Sequence, residues 1–184
     1  MAKVKPSKAR ATITTNPNGL EIVIPSKKNI FLILFLAAWL VGWAVGEVTV
    51  PATFIKGNKD TGALIFSIAW LVAWTIGGAF AIYIWLWNVA GKEKVIINNL
   101  SLTIKRELFG YGRDKEYEMT HISNLRVSAQ PFNPFNFSAS LQFWGIGGGV
   151  LAFDYGSKTY RFGSGVDEAE ANHIIERIKT QYKI

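Results

Sequence analysis

The run from Thr61 through Gly91, TGALIFSIAWLVAWTIGGAFAIYIWLWNVAG, contains no Asp, Glu, Lys or Arg. About 20 apolar residues at 1.5 Å rise cross the hydrocarbon core of a bilayer, so a helix of this length spans it and emerges past the headgroups. A water-soluble fold would have to cover the same run on every face, a heavy demand on a chain of 184 residues. A second uncharged run, Asn29 to Gly46, precedes it and extends through Thr49 if Glu47 reaches the interface. The sequence therefore predicts two membrane helices, 29–49 and 62–89. The connection between them, EVTVPATFIKGNKD, is short and carries Pro51 and Gly57 as breakers, so residues 29–91 form an antiparallel hairpin.

Charge places this hairpin. The net charge is +7, and the excess lies beside the first span, where Lys3, Lys5, Lys8, Arg10, Lys27 and Lys28 face only Glu21. Lysine and arginine counted close to the spans set orientation, and Lys92 and Lys94 follow the second span, so both termini are expected in the cytoplasm. Residues 1–10 read as a basic tail against anionic headgroups. An apolar run that begins only at Ile30, with no small-residue cleavage site after a short core, does not read as a cleaved signal peptide. The chain has no cysteine, which removes disulfides, thiolate catalysis and Cys-based metal sites and suits a reducing compartment.

Small residues recur every four positions on both spans: Ala38, Gly42 and Gly46 on the first, and Ala69, Ala73, Gly77 and Ala81 on the second. Membrane helices associate by close backbone approach at such positions, so these stripes are the expected packing surface, within the hairpin or in a homodimer. Trp39, Trp43, Trp70 and Trp74 flank them, and Trp85 and Trp87 fall where an interfacial belt is expected. Neither span carries a histidine to ligate a haem or chlorophyll, and no intramembrane charge marks an ion path, which argues against a channel, pump or transporter. No cofactor is expected.

Outside the hairpin the pattern is that of strands. Residues 11–28 alternate around Asn18-Gly19, a pair suited to a tight turn, and read as a β-hairpin that packs on or extends the following domain. From Lys92 strands are expected at Glu93–Ile97, Leu100–Glu107, Lys115–Met119, Asn124–Ser128, Ala139–Trp144, Val150–Asp154 and Lys158–Phe162, with a turn at Gly110–Asp114. Their number and spacing imply a bent antiparallel sheet. A last helix follows, with Ser164 and Asp167 spaced like a capping box and Ala171, Ile174, Ile175, Ile178 and Tyr182 on one face that should plug the sheet.

The membrane hairpin followed by VIINNLSLTIKRELFGYGRDKEYEMTHISNLRVS, further strands and a terminal amphipathic helix resembles the bacterial pleckstrin-homology-like (PH-like) membrane proteins. The residues that carry the resemblance are Leu102, Ile104, Arg106, Gly110, Ile122, Leu125, Arg126 and Val127. It implies an α+β membrane protein: a transmembrane α-helical hairpin and, at 92–184, a PH-like antiparallel β-barrel or sandwich capped by the C-terminal helix. It also implies a cytoplasmic module held at the bacterial inner membrane, with no one shared activity. Two features depart from the pattern, the hairpin at 11–28 and the loop AQPFNPFNFSAS.

Little here suggests catalysis. GIGGG at Gly145–Gly149 lacks the following Lys-Ser/Thr and helix of a phosphate loop and reads as a hairpin turn. His121 and His173 have no neighbours at metal-ligand spacing, and Asp154 reads as an ion-pair partner of Lys158 or Arg161. Membrane lipids are expected partners, with Lys27, Lys28 and Lys92 as headgroup contacts. Arg113, Lys115, Arg126, Phe132, Phe135 and Phe137 are the candidate surface for a membrane-protein partner; the three phenylalanines either cover the sheet as core or stay exposed. Nucleic acid is not expected. The leading expectation is a non-enzymatic membrane-anchored scaffold, assembly factor or accessory subunit; the alternative is a lipid-headgroup-binding module.

Overall fold

The computed structural model describes residues 9–17, 19–56, 61–128, 141 and 144–182. In chain order these form β1 (Thr12–Asn16), β2 (Gly19–Pro25), α1 (Ile30–Lys56), α2 (Thr61–Ala90), β3 (Gly91–Ile97), β4 (Ser101–Leu108), β5 (Tyr111–Glu118), a 3-10 turn (Met119–His121), β6 (Ile122–Val127), β7 (Leu151–Tyr155), β8 (Lys158–Phe162) and α3 (Glu168–Gln181). The fold is α+β. It divides into two compact units, one of them Lys28–Val89 and the other built from the chain up to Lys27 and from Ala90 onward.

The helical unit holds two helices long and apolar enough to cross a membrane, Ile30–Ala52 and Thr61–Ala90. The core helix of a soluble protein would be mostly covered, whereas only 11% and 17% of their most apolar stretches are buried within the chain. The first helix does not stop near Thr49. It continues through Pro51 to Lys56. A proline interrupts one intrahelical hydrogen bond without ending a helix whose neighbouring groups re-satisfy the backbone, as membrane helices commonly do.

In the strand unit, β1 to β5 make one antiparallel sheet in sequence order and β6 to β8 a second, and the two do not close into a barrel. The β1–β2 hairpin is hydrogen-bonded along β3, so it extends the sheet. Gly19 pairs with Asn16 as the first residue of β2 instead of lying in the turn, and Asn18 lies outside the described residues. Gly19 has φ +122°, and a Cβ there would lie 2.1 Å from the Ile97 carbonyl oxygen, so close approach to β3 is what requires glycine.

Period-two alternation sets the core. Leu20, Ile22 and Ile24 of β2, Val95 and Ile97 of β3 and Leu102 and Ile104 of β4 point inward against Leu151, Phe153 and Phe162 of the second sheet. α3 covers them with Ala171, Ile174 and Ile178, while Ile175 is only partly buried. The helix is capped by Asp167, whose side chain accepts from Glu170 N at 2.8 Å, rather than by Ser164. Just beyond it, the Tyr182 hydroxyl donates to Ile97 O at 2.7 Å and accepts from Leu20 N at 3.2 Å, fastening the chain's end to the sheet. Glu170 is buried as well and accepts the backbone N–H groups of Arg10 and Ala11, which ties the N-terminal segment to the same helix. The expected strand Ala139–Trp144 falls largely outside the described residues; Trp144 and Gly145 lie in a turn.

Candidate functional site

β5 is an outermost strand of the five-stranded sheet, and its reach depends on one tight turn. Leu108 pairs with Tyr111, leaving Phe109 (φ 51°) and Gly110 (φ 89°) as a two-residue connection with both residues in the left-handed region. That is the turn geometry whose twist matches paired strands. The expected turn at Gly110–Asp114 is thus confined to its first residue, and Tyr111–Asp114 joins the strand. Charged residues at 113–116 imitate a loop in composition while alternating like a solvated strand.

Parity then decides which groups face outward. The closing pair of a two-residue hairpin exchanges both its hydrogen bonds, and bonded and non-bonded pairs alternate from there. The bond from Met119 N to Leu100 O, 2.8 Å, keeps the same phase at the far end. The peptide groups of Tyr111, Arg113, Lys115 and Tyr117 therefore serve β4, while those of Gly112, Asp114, Glu116 and Glu118 point away from the sheet. Side chains divide by the same rule. Tyr117 enters the core, meeting Phe153 and Tyr160 at centroid distances of 5.1 and 4.7 Å, and Arg113 and Lys115 share its face. Burial, with the neighbouring Tyr160 hydroxyl second, raises the Tyr117 phenol above its ordinary pKa. Asp114, Glu116 and Glu118 occupy the opposite face. Every residue of β5 except Tyr117 is exposed.

Of the expected partner surface, only Arg113 and Lys115 lie on this edge. Arg126 belongs to the second sheet, where its guanidinium donates to Asp154 Oδ2 at 2.8 Å. A shift of register between Ser123 and Arg126, with Asn124 at φ 54°, lets Asn124 Nδ2 reach the same oxygen at 2.9 Å. Thr159 Oγ1 donates to Oδ1 at 2.7 Å. The hydrogen bond from Arg126, then those from Thr159 and Asn124, hold the carboxyl down at about 2. The expected pairing of Asp154 with Lys158 or Arg161 is replaced by this arrangement; Arg161 donates to Ser128 instead. Phe132, Phe135 and Phe137 lie outside the described residues.

The glycine loop offers carbonyls. Arg106 donates to Ile146 O at 3.3 Å and to Gly147 O at 2.9 Å, an arrangement opposite to the inward-facing N–H groups that hold a phosphate. Behind Arg106 sits Glu93, only 1% exposed, with Oε2 accepting from Gly163 N at 2.6 Å and Oε1 3.7 Å from Arg106 Nε. Burial raises the Glu93 pKa above its ordinary value, against the lowering by Arg106 and the two backbone N–H groups of Gly163 and Ser164. Sequence reasoning missed this acid. The signal was there: Glu93 is in phase with Val95 and Ile97, on the inward side of its strand. His121 is exposed and lies 3.2 Å from Glu118, and His173 is exposed on α3.

Among the headgroup candidates, Lys27 and Lys28 are exposed, while Lys92 is 3.2 Å from Glu107 across the β3–β4 pair. Within the helical unit the contact surface differs from the expected stripes. Ser67, Gly78 and Ala81 are buried and Leu71 and Trp74 partly so, a spacing that alternates four and three. Trp43 Nε1 donates to Trp74 O at 3.2 Å, Trp85 Nε1 to Ile33 O at 3.1 Å, and Thr75 Oγ1 to Glu47 Oε1 at 2.6 Å. Ala38, Gly42, Ala69, Ala73 and Gly77 are exposed; Ala81 sits in the seam, and a Cβ on Gly46 would lie 3.6 Å from the Trp74 ring. The reason is geometric. Steps of four residues drift by about 40° per step around a helix of 3.6 residues per turn, so only an alternation of four and three stays on one partner. Trp87, expected in an interfacial belt, is 2% exposed.

Compared with family models, curated proteins and solved structures, the chain finds no match in any of the three.

Proposed function

We propose that this chain is a non-enzymatic, membrane-anchored scaffold or accessory subunit, its helical hairpin in the bacterial inner membrane and its PH-like strand unit presented to a protein partner in the cytoplasm. The observation that carries the proposal is topological. Two apolar helices are inserted between β2 and β3, paired neighbours in one sheet, and that sheet ends at β5 in an edge strand open to solvent. Exposed Lys27 and Lys28 beside α1 favour cytoplasmic termini. Asp154 is held ionised by three donors, and Glu93, whose pKa burial raises, is closed off from solvent against Arg106 and two backbone N–H groups, which favours a structural role for both acids. Crosslinking in intact membranes followed by mass spectrometry is expected to recover one defined protein partner; recovery of lipid alone would count against the scaffold.

The second reading, a lipid-headgroup module, draws on the same two lysines, each worth near 1 kcal/mol at an anionic surface. Lys92 supports it less, since Glu107 neutralises it. Flotation with anionic liposomes at two salt concentrations separates the readings, because screening weakens attraction to headgroups as salt rises.

A further inference from the structure

The outer edge of β5 combines three properties that together specify a ligand. It exposes the peptide groups of four alternate residues, Gly112, Asp114, Glu116 and Glu118, with no hydrogen-bond partner to them among the described residues. It is segregated by charge, acidic on the sheet's outer face through Asp114, Glu116 and Glu118 and basic on the other through Arg113 and Lys115. Only part of this charge is used within the chain: Asp114 lies 3.7 Å from Lys105 and Glu118 lies 3.2 Å from His121, whereas Arg113, Lys115 and Glu116 make no ion pair among the described residues.

Segregation of this kind excludes one occupant. If a second copy of the chain paired its own β5 here in the antiparallel direction, side chains on each face would meet their equals, acid against acid and base against base. Like charges directly opposite on a strand pair are destabilising. An incoming strand with the reverse pattern places base against acid on one face and acid against base on the other, while its main chain satisfies the free peptide groups.

We propose that the outer edge of β5 receives an extended segment of a protein partner in which basic and acidic side chains alternate, added antiparallel as a sixth strand. The proposal rests on the scaffold reading and names the partner's chemistry. Backbone hydrogen bonds supply affinity, and the alternation fixes which face each side chain takes, because a slip of one residue reverses every charge pair. A second copy of the chain is disfavoured at this edge in the antiparallel direction.

The test uses the full chain in neutral detergent and a fluorescent peptide of about eight residues, a common strand length, in which Lys alternates with Glu. Two changes remove hydrogen bonds while leaving the peptide's charge intact. In one, the peptide is N-methylated at its lysine backbone amides, the groups that would face β5. In the other, Glu116→Pro deletes one outward N–H that the β4–β5 ladder does not use. Glu116→Pro is expected to weaken binding up to about tenfold, the scale of one hydrogen bond, and methylation, which blocks four amides, by more than tenfold. Glu116→Lys should weaken it too, and most strongly at low salt. Equal affinity for the methylated and parent peptides would show attraction of charge alone and overturn the proposal, as would failure of the parent peptide to bind. The methylated peptide needs no change in the protein, so the test survives a Glu116→Pro chain that folds poorly. The scaffold reading fails separately: a partner crosslinked in membranes from the α3 face at His173, with β5 positions silent, keeps the scaffold and removes this edge. Absence of any protein adduct removes both.

Discussion

At the scale of single residues, the two perturbed carboxylates act in opposite directions on stability. Asp154 is favoured in its charged form by Arg126, Thr159 and Asn124, which depress it from 3.8 to about 2. A depressed carboxylate contributes stability that is present above its unfolded pKa and lost as pH falls through its folded one. Glu93 is raised by burial, so its contribution is fully present below the ordinary 4.5 and lost as pH rises through its folded pKa. Asp154→Asn should therefore flatten the fall in unfolding free energy between pH 4 and pH 2, measured by denaturant titration of the detergent-solubilised chain across that range. A slope in the variant as steep as in the parent would mean that Arg126 and its neighbours do not hold this acid ionised. Glu93→Gln should act in the other direction, removing a decline that sets in above pH 4.5.

At the scale of elements, the hairpin rests on a seam one residue away from the stripe that its sequence advertises. A Cβ on Gly78 would fall 2.0 Å from the Trp43 ring, and that ring cannot yield freely because its Nε1 is bonded to Trp74 O. A Cβ on Gly77 or Gly42 meets nothing within 4 Å. Gly78→Ala is expected to destabilise the folded hairpin by about 1–3 kcal/mol, the usual cost of overpacking, while Gly77→Ala is close to neutral. Thermal unfolding in detergent, followed by tryptophan fluorescence, compares them; equal melting points would remove the seam. The same comparison shows what sequence can carry. Both helices were legible because an uncharged run is a property of composition, and the alternation of β2, β3 and β4 and the apolar face of α3 were legible because one side of each is buried. Which glycine touches which tryptophan was not, since a stripe fixes a face only when its period matches the supercoil. The extent of β5 was obscured by its charge, and Glu93 by the habit of placing acids outside.

At the scale of the whole molecule, the order of strands makes the helical unit an insertion. β2 and β3 are adjacent and antiparallel, Pro25 pairs with Lys92, and Ser26 N bonds Gly91 O at 2.9 Å, so the chain leaves and re-enters the sheet across a single ladder step. A tight turn can close such a step as well as a helical hairpin can. Replacing residues 27–90 by Asn-Gly, which supplies the positive φ values of a two-residue turn, should yield a chain that needs no detergent and keeps its β-rich circular dichroism. It should also unfold in one cooperative transition, because the buried set from Leu20 to Tyr182 is drawn from the strand unit alone. A shortened chain that precipitates, or that binds the dyes of a loosely packed state, would mean that the sheet needs the helices to fold. In that case the hairpin would be part of the protein's folding, and β2 and β3 would owe their pairing to it.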